Sequence, residues 1–196
     1  MHLYLASASP RRLALLRQAG YRPQRVAQQA LEDPLPGEAV ETWICRVARD
    51  KALSALQMLH PDAPEGIVLA ADTLVVQDGQ ALGKPASAVV AREVLRRLSG
   101  RRHRVLTAVA LIRTDNRREA GGLETTHVEF ANVGADAINR YVATGSPLDK
   151  AGAYGIQDLD ESWIVAVEGL QSNVVGLPIE RVSDWIDALG GLDEPD

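Results

Sequence analysis

The stretch "LYLASASPRR", Leu3 to Arg12, is an apolar run that stops at two serines, a proline and two arginines. Leu3 to Ala6 reads as a short buried strand. Ser9 stands where a helix N-cap belongs, and Pro10 where a first-turn proline is tolerated. A helix over Pro10 to Ala19, stopped by Gly20, follows directly. A strand feeding a helix this closely opens an α/β arrangement. The first-turn N–H groups of such a helix are unpaired and attract anions, phosphate above all. Arg11 and Arg12 add two positive charges there, and Ser7 adds a hydroxyl donor. These residues form a phosphate cradle in one reading, and a capped surface helix with two solvated arginines in the other.

Outward from that point, helical and strand patterns interleave. Gln29 to Gly37 is a polar, proline-containing loop, and Glu38 to Leu59 a long helix. Ile67 to Gln77 is an apolar, β-branched strand whose end at Asp78-Gly79 suits a type I′ hairpin turn. Ala86 to Leu98 is a helix stopped by Ser99-Gly100. Val105 to Ile112 and Glu124 to Phe130 are strands joined by a polar loop, Thr114 to Gly122. Ala135 to Thr144 is a helix closed by Gly145, Trp163 to Val167 a strand, and Pro178 to Leu189 a last helix. The pattern predicts an α/β fold with a mixed sheet flanked by helices. No repeat, low-complexity segment or long linker divides the chain. The expected organisation is one domain over residues 1–190 and a flexible tail over 191–196.

Composition narrows the function. The 196 residues are 46% hydrophobic and 24% charged, with a formal net charge of -5. Bulk attraction to nucleic acid is therefore not expected, and any basic site must be local. The single cysteine, Cys45, excludes an intrachain disulfide and a Cys-cluster zinc site, and fits a reducing cytoplasm. The N-terminal apolar run is short and is followed by Arg11, Arg12 and Arg17, unlike a signal peptide. No stretch approaches the roughly 18 apolar residues of a membrane span.

Four further segments hold candidate site residues. In the long helix, Val40, Ile44 and Val47 mark an apolar stripe, and Lys51 falls on it. An inward lysine either snorkels to solvent or meets an anion, here the same phosphates. In "VLAADTLVV", Val68 to Val76, Asp72 and Thr73 interrupt an apolar strand. A carboxylate there is costly unless it accepts hydrogen bonds, binds metal or does acid–base work. "LGKP", Leu82 to Pro85, puts Lys84 in a tight turn. "PLDKAGAYGIQ", Pro147 to Gln157, is glycine-rich but lacks the order of a P-loop. It reads as a plain turn, or as a loop in which Tyr154 stacks on a base and Gln157 reads a base edge. His103 and His127 read as packed or exposed, and Trp43, Trp163 and Trp185 as core or dimer contacts. Hydroxyl, cations, a carboxylate and a glycine-rich loop together suit phosphoryl chemistry on a nucleotide with a divalent metal.

"LASASPRR", "AADTLVV", "LGKP", "LSGRRHRVLTAV", "DKAGAYGIQ" and "VVGLP" resemble the successive motifs of the Maf family, in family order and across nearly the whole chain. The resemblance implies a cytoplasmic, homodimeric nucleoside triphosphate pyrophosphatase that needs Mg²⁺ or Mn²⁺ and releases a monophosphate and pyrophosphate. It implies a fold similar to the inosine triphosphate pyrophosphatases, with an elongated mixed sheet and two lobes around a central cleft. Asp72 then matches the family's general base and, with Glu32, its metal-binding carboxylates. Ser7, Arg11, Arg12, Lys51 and Lys84 match phosphate-binding positions, and Arg11, Thr73 and Gln157 positions linked to substrate choice. Lys150 and Gln157 make the late motif similar to the branch acting on dTTP and UTP, rather than the 7-methyl-GTP branch. Two places depart from the family pattern. The acidic loop reads "QALED", Gln29 to Asp33, with only Glu32 in register and Asp33 beside it. "DLDES", Asp158 to Ser162, stands where a glycine-rich turn is common.

Two rivals differ in class. One is a non-hydrolysing nucleotide-binding regulator of cell division. The other is a nucleic-acid-binding module using Arg101 to Arg104 with Arg113, Arg117 and Arg118, against which the acidic total and scarce aromatics speak.

Overall fold

The computed structural model describes residues 1–192. Among them a seven-stranded sheet has the order β2-β1-β3-β5-β6-β7, with β4 paired to β3. The strands are β1 (His2–Leu5), β2 (Gln24–Arg25), β3 (Gly66–Gln77), β4 (Gln80–Leu82), β5 (Arg102–Arg113), β6 (Glu119–Phe130) and β7 (Ile164–Glu168). β1 runs parallel to β2 and β3, whereas β4 and β7 pair antiparallel with β3 and β6, so the sheet is mixed as expected. The helices are α1 (Pro10–Gln18), α2 (Val40–Met58), α3 (Ala88–Leu98), α4 (Ala135–Ala143), α5 (Gln171–Val175) and α6 (Ile179–Ala188). The chain divides into two compact units.

The first unit comprises Met1–Asp72, Thr107–Glu124 and the chain from Gly176 onward. Its central parallel strands, β1 and β3, are buried on both faces along most of their length, which is why they read as continuous apolar runs, whereas β2 is exposed. Side chains alternate across the pleat. Leu3 and Leu5 of β1 and Ile67, Leu69 and Ala71 of β3 pack with Leu16 of α1 and Val182 and Ile186 of α6. Tyr4, Val68 and Ala70 point the other way, against Ala52, Ala55 and Leu56 of α2. Asp72 shares the parity of Val68 and Ala70, so it faces α2. The α2 residues Ile44, Val47, Ala48, Lys51, Ala52 and Ala55 are buried, confirming that Lys51 lies on the inward stripe.

The second unit comprises Thr73–Leu106 and Thr125–Val175. Its core gathers Val75, Leu95, Leu98, Val105, Phe130, Tyr141, Tyr154 and Trp163. The hairpin turn has two residues, Asp78 and Gly79, with φ of 51° and 75°, as a type I′ turn requires.

Several elements differ from the sequence expectation, among them the short strand β2, which the sequence reading did not include. The loop expected over Thr114 to Gly122 is much shorter, because β6 begins at Glu119. Gly121 sits inside β6, where an added Cβ would lie 2.1 Å from the Val109 carbonyl oxygen, so this glycine marks close backbone approach rather than a loop. α5 went unrecognised, because its five residues are too few to show a helical period. Pro147 to Gln157, read as a plain turn or a base-binding loop, lies in a run of four short 3₁₀ turns from Ser146 to Trp163, so the last strand begins at Ile164 rather than at Trp163. Of the expected tail, Gly191 donates a backbone hydrogen bond to the Ile186 carbonyl, and Leu192 packs on the first unit's core. Residues 193–196 lie outside the described residues.

Candidate functional site

The helix start at Ser9 is built as its sequence demands. Ser9 caps α1 by accepting from the Arg12 N–H at 3.4 Å, and Pro10 occupies the first turn. Ser7 Oγ accepts twice, from the Ser9 N–H at 3.2 Å and from Arg12 Nη1 at 3.2 Å. A hydroxyl has two acceptor lone pairs and one donor. Both acceptor positions are therefore used inside the loop, and the Ser7 O–H is left to donate outward. Arg12 also donates from Nε to the Gly176 carbonyl at 2.8 Å, which fixes the plane of its guanidinium. Burial pulls the Arg12 pKa down while the nearby Asp72 carboxylate opposes the shift. Arg11, one residue earlier on α1, is half-buried.

Asp72 and Lys51 meet where β3 crosses the inward face of α2. Lys51 Nζ donates to Asp72 Oδ1 at 2.8 Å and lies 2.9 Å from Glu32 Oε1. Lys51 is 6% exposed overall, and the Asp72 and Glu32 side chains are 15% and 55% exposed. The buried lysine thus has carboxylate partners, as its desolvation requires. Two carboxylates converge on one cationic atom, and the pair opens to solvent on the Glu32 side. Three cations, Arg11, Arg12 and Lys51, stand in the same unit as these two carboxylates. The sequence expectation placed Ser7, Arg11, Arg12, Glu32, Lys51 and Asp72 in one site, and all six lie in the first unit.

Thr73 follows Asp72 on β3, so its side chain projects to the opposite face. Lys84 and Gln157 belong to the second unit, and both are exposed. Their loops are tied together, since the Gly152 N–H donates to the Gly83 carbonyl at 3.2 Å. Lys150 organises the late loop rather than reaching outward. Its Nζ donates to the Ser146 carbonyl at 2.7 Å and to Asp149 Oδ1 at 2.7 Å, and sits 3.2 Å from Asp158 Oδ2.

One expectation is corrected here. Tyr154 is not available to stack on a base. It is 5% exposed, packs edge-on against Phe130 and His103, and its hydroxyl is hydrogen-bonded to His103 Nε2 at 2.8 Å. A tyrosine whose hydroxyl finds a buried partner is a core residue. Trp43, read from sequence only as core or interface, instead donates from Nε1 to the Glu32 carbonyl at 2.7 Å. Nothing in a single sequence marks a tryptophan for that contact.

The family described as Maf-like protein matches residues 2–189. A dTTP/UTP pyrophosphatase of Escherichia coli O157:H7 is 41% identical over 192 residues, covering 98% of this chain and 95% of that protein. A dTTP/UTP pyrophosphatase of Methylococcus capsulatus is 44% identical over 190 residues, covering 97% and 92%. One of Symbiobacterium thermophilum is 45% identical over 192 residues, covering 96% and 94%. With this match over nearly its whole length, the chain belongs to the Maf-like protein family.

Proposed function

We propose that this protein hydrolyses dTTP and UTP to the monophosphate and pyrophosphate. The observation that carries the reading is the convergence of Asp72 and Glu32 beside the anion-attracting start of α1, in a chain whose relatives bear that activity in their names.

The donor set fits a divalent cation. Carboxylate oxygens are hard ligands suited to Mg²⁺ or Mn²⁺, and Mg²⁺ is usually held by one or two carboxylates plus substrate phosphates and water. Among the described residues no cluster of three or more His, Cys, Asp or Glu could hold a metal ion alone. Asp72 and Glu32 would therefore hold it together with the triphosphate. When bound, the metal supplies charge neutralisation on the phosphates and acidifies a water.

The chain's own residues do the rest. Ser7, Arg11, Arg12 and the first N–H groups of α1 hold phosphate oxygens. Asp72 orients a water and takes its proton as the water attacks the α-phosphorus in line. Charge grows on the departing pyrophosphate, and Arg12 and Lys51 offset it. Within the second unit, Lys150 fixes the turn that carries Gln157, a position the family resemblance links to substrate choice. The reading includes a cytoplasmic location, supported by the lone cysteine, and a homodimer, which rests on the family resemblance. No helix of the described residues is long and apolar enough to cross a membrane.

Hydrolysis of dTTP in oxygen-18 water tests the reaction. Label in dTMP and none in pyrophosphate is expected. Label in pyrophosphate, or release of orthophosphate, contradicts attack at the α-phosphorus.

A further inference from the structure

Glu32 lies on a loop without regular structure, between β2 and α2. Its neighbours Leu31 and Leu35 are 81% and 55% exposed, so apolar burial does not hold this loop in place. Its main chain is instead tied to one stripe of α2. Trp43, Arg46, Asp50 and Ser54 are spaced three or four residues apart, so they line one side of the helix. Ser54 Oγ accepts from the Gln29 N–H at 2.9 Å. Trp43 Nε1 donates to the Glu32 carbonyl at 2.7 Å, and Arg46 Nη2 to the Asp33 carbonyl at 2.9 Å. The Glu38 carboxylate takes Arg46 Nε and Nη2 at 2.7 Å each and accepts the Leu35 N–H at 2.9 Å. Arg46 Nη1 lies 3.3 Å from Asp50 Oδ2.

The bond to the Glu32 carbonyl holds the peptide unit that follows the Glu32 Cα, and the bond to the Asp33 carbonyl holds the next one along. Arg46 has its fork committed to Glu38, Asp50 and the Asp33 carbonyl, so it does not serve as a phosphate ligand. Ordering a loop costs conformational entropy, and a loop already ordered spares the ligand that cost.

We propose that Trp43 and Arg46 are positioning residues that hold the Glu32 loop main chain so that the Glu32 carboxylate is presented for metal binding. This inference rests on the reading that Glu32 helps hold the metal.

The test is Mn²⁺ binding to the full chain with a non-hydrolysable dTTP analogue, read as free Mn²⁺ by electron paramagnetic resonance. The apparent Mn²⁺ constant for pyrophosphate release is measured beside it. Trp43→Phe keeps an aromatic ring at the position and removes the N–H donor to the Glu32 carbonyl. One neutral hydrogen bond corresponds to about a twofold to tenfold weaker Mn²⁺ constant, with kcat at saturating Mn²⁺ kept. Arg46→Lys, which breaks the fork independently, is expected to shift the constant the same way. Glu32→Gln separates the two claims. If Glu32→Gln leaves Mn²⁺ binding unchanged, the metal reading of Glu32 falls, and this inference with it. If Glu32→Gln weakens Mn²⁺ binding while Trp43→Phe and Arg46→Lys do not, the positioning inference alone is overturned. In the Glu32→Gln background Trp43→Phe is expected to add nothing, and an additive effect also overturns it.

Discussion

Replacing His103 with glutamine should flatten the acid limb of this protein's stability. His103 is 2% exposed on β5, edge-on to Phe130 at 5.0 Å between ring centroids, and hydrogen-bonded to the Tyr154 hydroxyl. Burial disfavours the imidazolium and pulls the pKa from 6.5 down to about 4. In the unfolded chain the same group titrates near about 6.5. A folded value below the unfolded one means that the unfolded state takes up the proton first. Stability from the neutral ring is then complete above the unfolded pKa and is lost as pH falls toward the folded one. Between about pH 7.5 and about pH 5 the loss works out at about 2 kcal/mol. For a chain of this size that is a drop of about 4–8 °C in Tm. Glutamine can keep a hydrogen bond to Tyr154 but does not titrate. Glu38 and Asp115, held near about 2 by Arg46 and Arg113, also lose stability in acid, but at lower pH and in both proteins. Thermal melts followed by circular dichroism at the two pH values give the answer. Wild type should lose about 4–8 °C more than His103→Gln. Equal losses would refute a buried neutral imidazole, and with it the core assignment of Tyr154.

Asp72→Asn removes the base and a metal ligand together, so kcat/KM for dTTP should fall at least about a thousandfold while the far-ultraviolet spectrum is kept. A chelator should abolish turnover, with recovery on adding Mg²⁺ or Mn²⁺ and little change in Tm, because Lys51 already bridges the two carboxylates. Gly152→Ala should cost about 2–3 kcal/mol in urea unfolding. At that position φ is 65°, and the new methyl would lie 2.5 Å from Val75 Cγ2.

Much of the first unit was legible because its signals are local. Ser9-Pro10 announces a capped helix, and the parity of β3 alone puts Asp72 on the face where α2 carries Lys51. The acidic loop was legible only by resemblance, since an exposed "QALED" has no periodicity to place it. Its contacts depend on Trp43 and Arg46, whose reach to a main chain ten or more residues away is a tertiary matter. Tyr154 misled for a related reason. A tyrosine between glycines looks free, and only the packing of Phe130 and His103 around it shows otherwise. Gly121 misled in the opposite direction, because close approach to Val109 and loop flexibility call for the same residue.

The most direct test of the central claim is pyrophosphate release, with Mg²⁺ and with Mn²⁺, from dTTP, UTP, CTP, GTP, ATP and 7-methyl-GTP. Fast release from dTTP and UTP, with the others well behind, is the predicted result. Preference for 7-methyl-GTP would contradict the substrate assignment, and no release from any of them would contradict the activity itself.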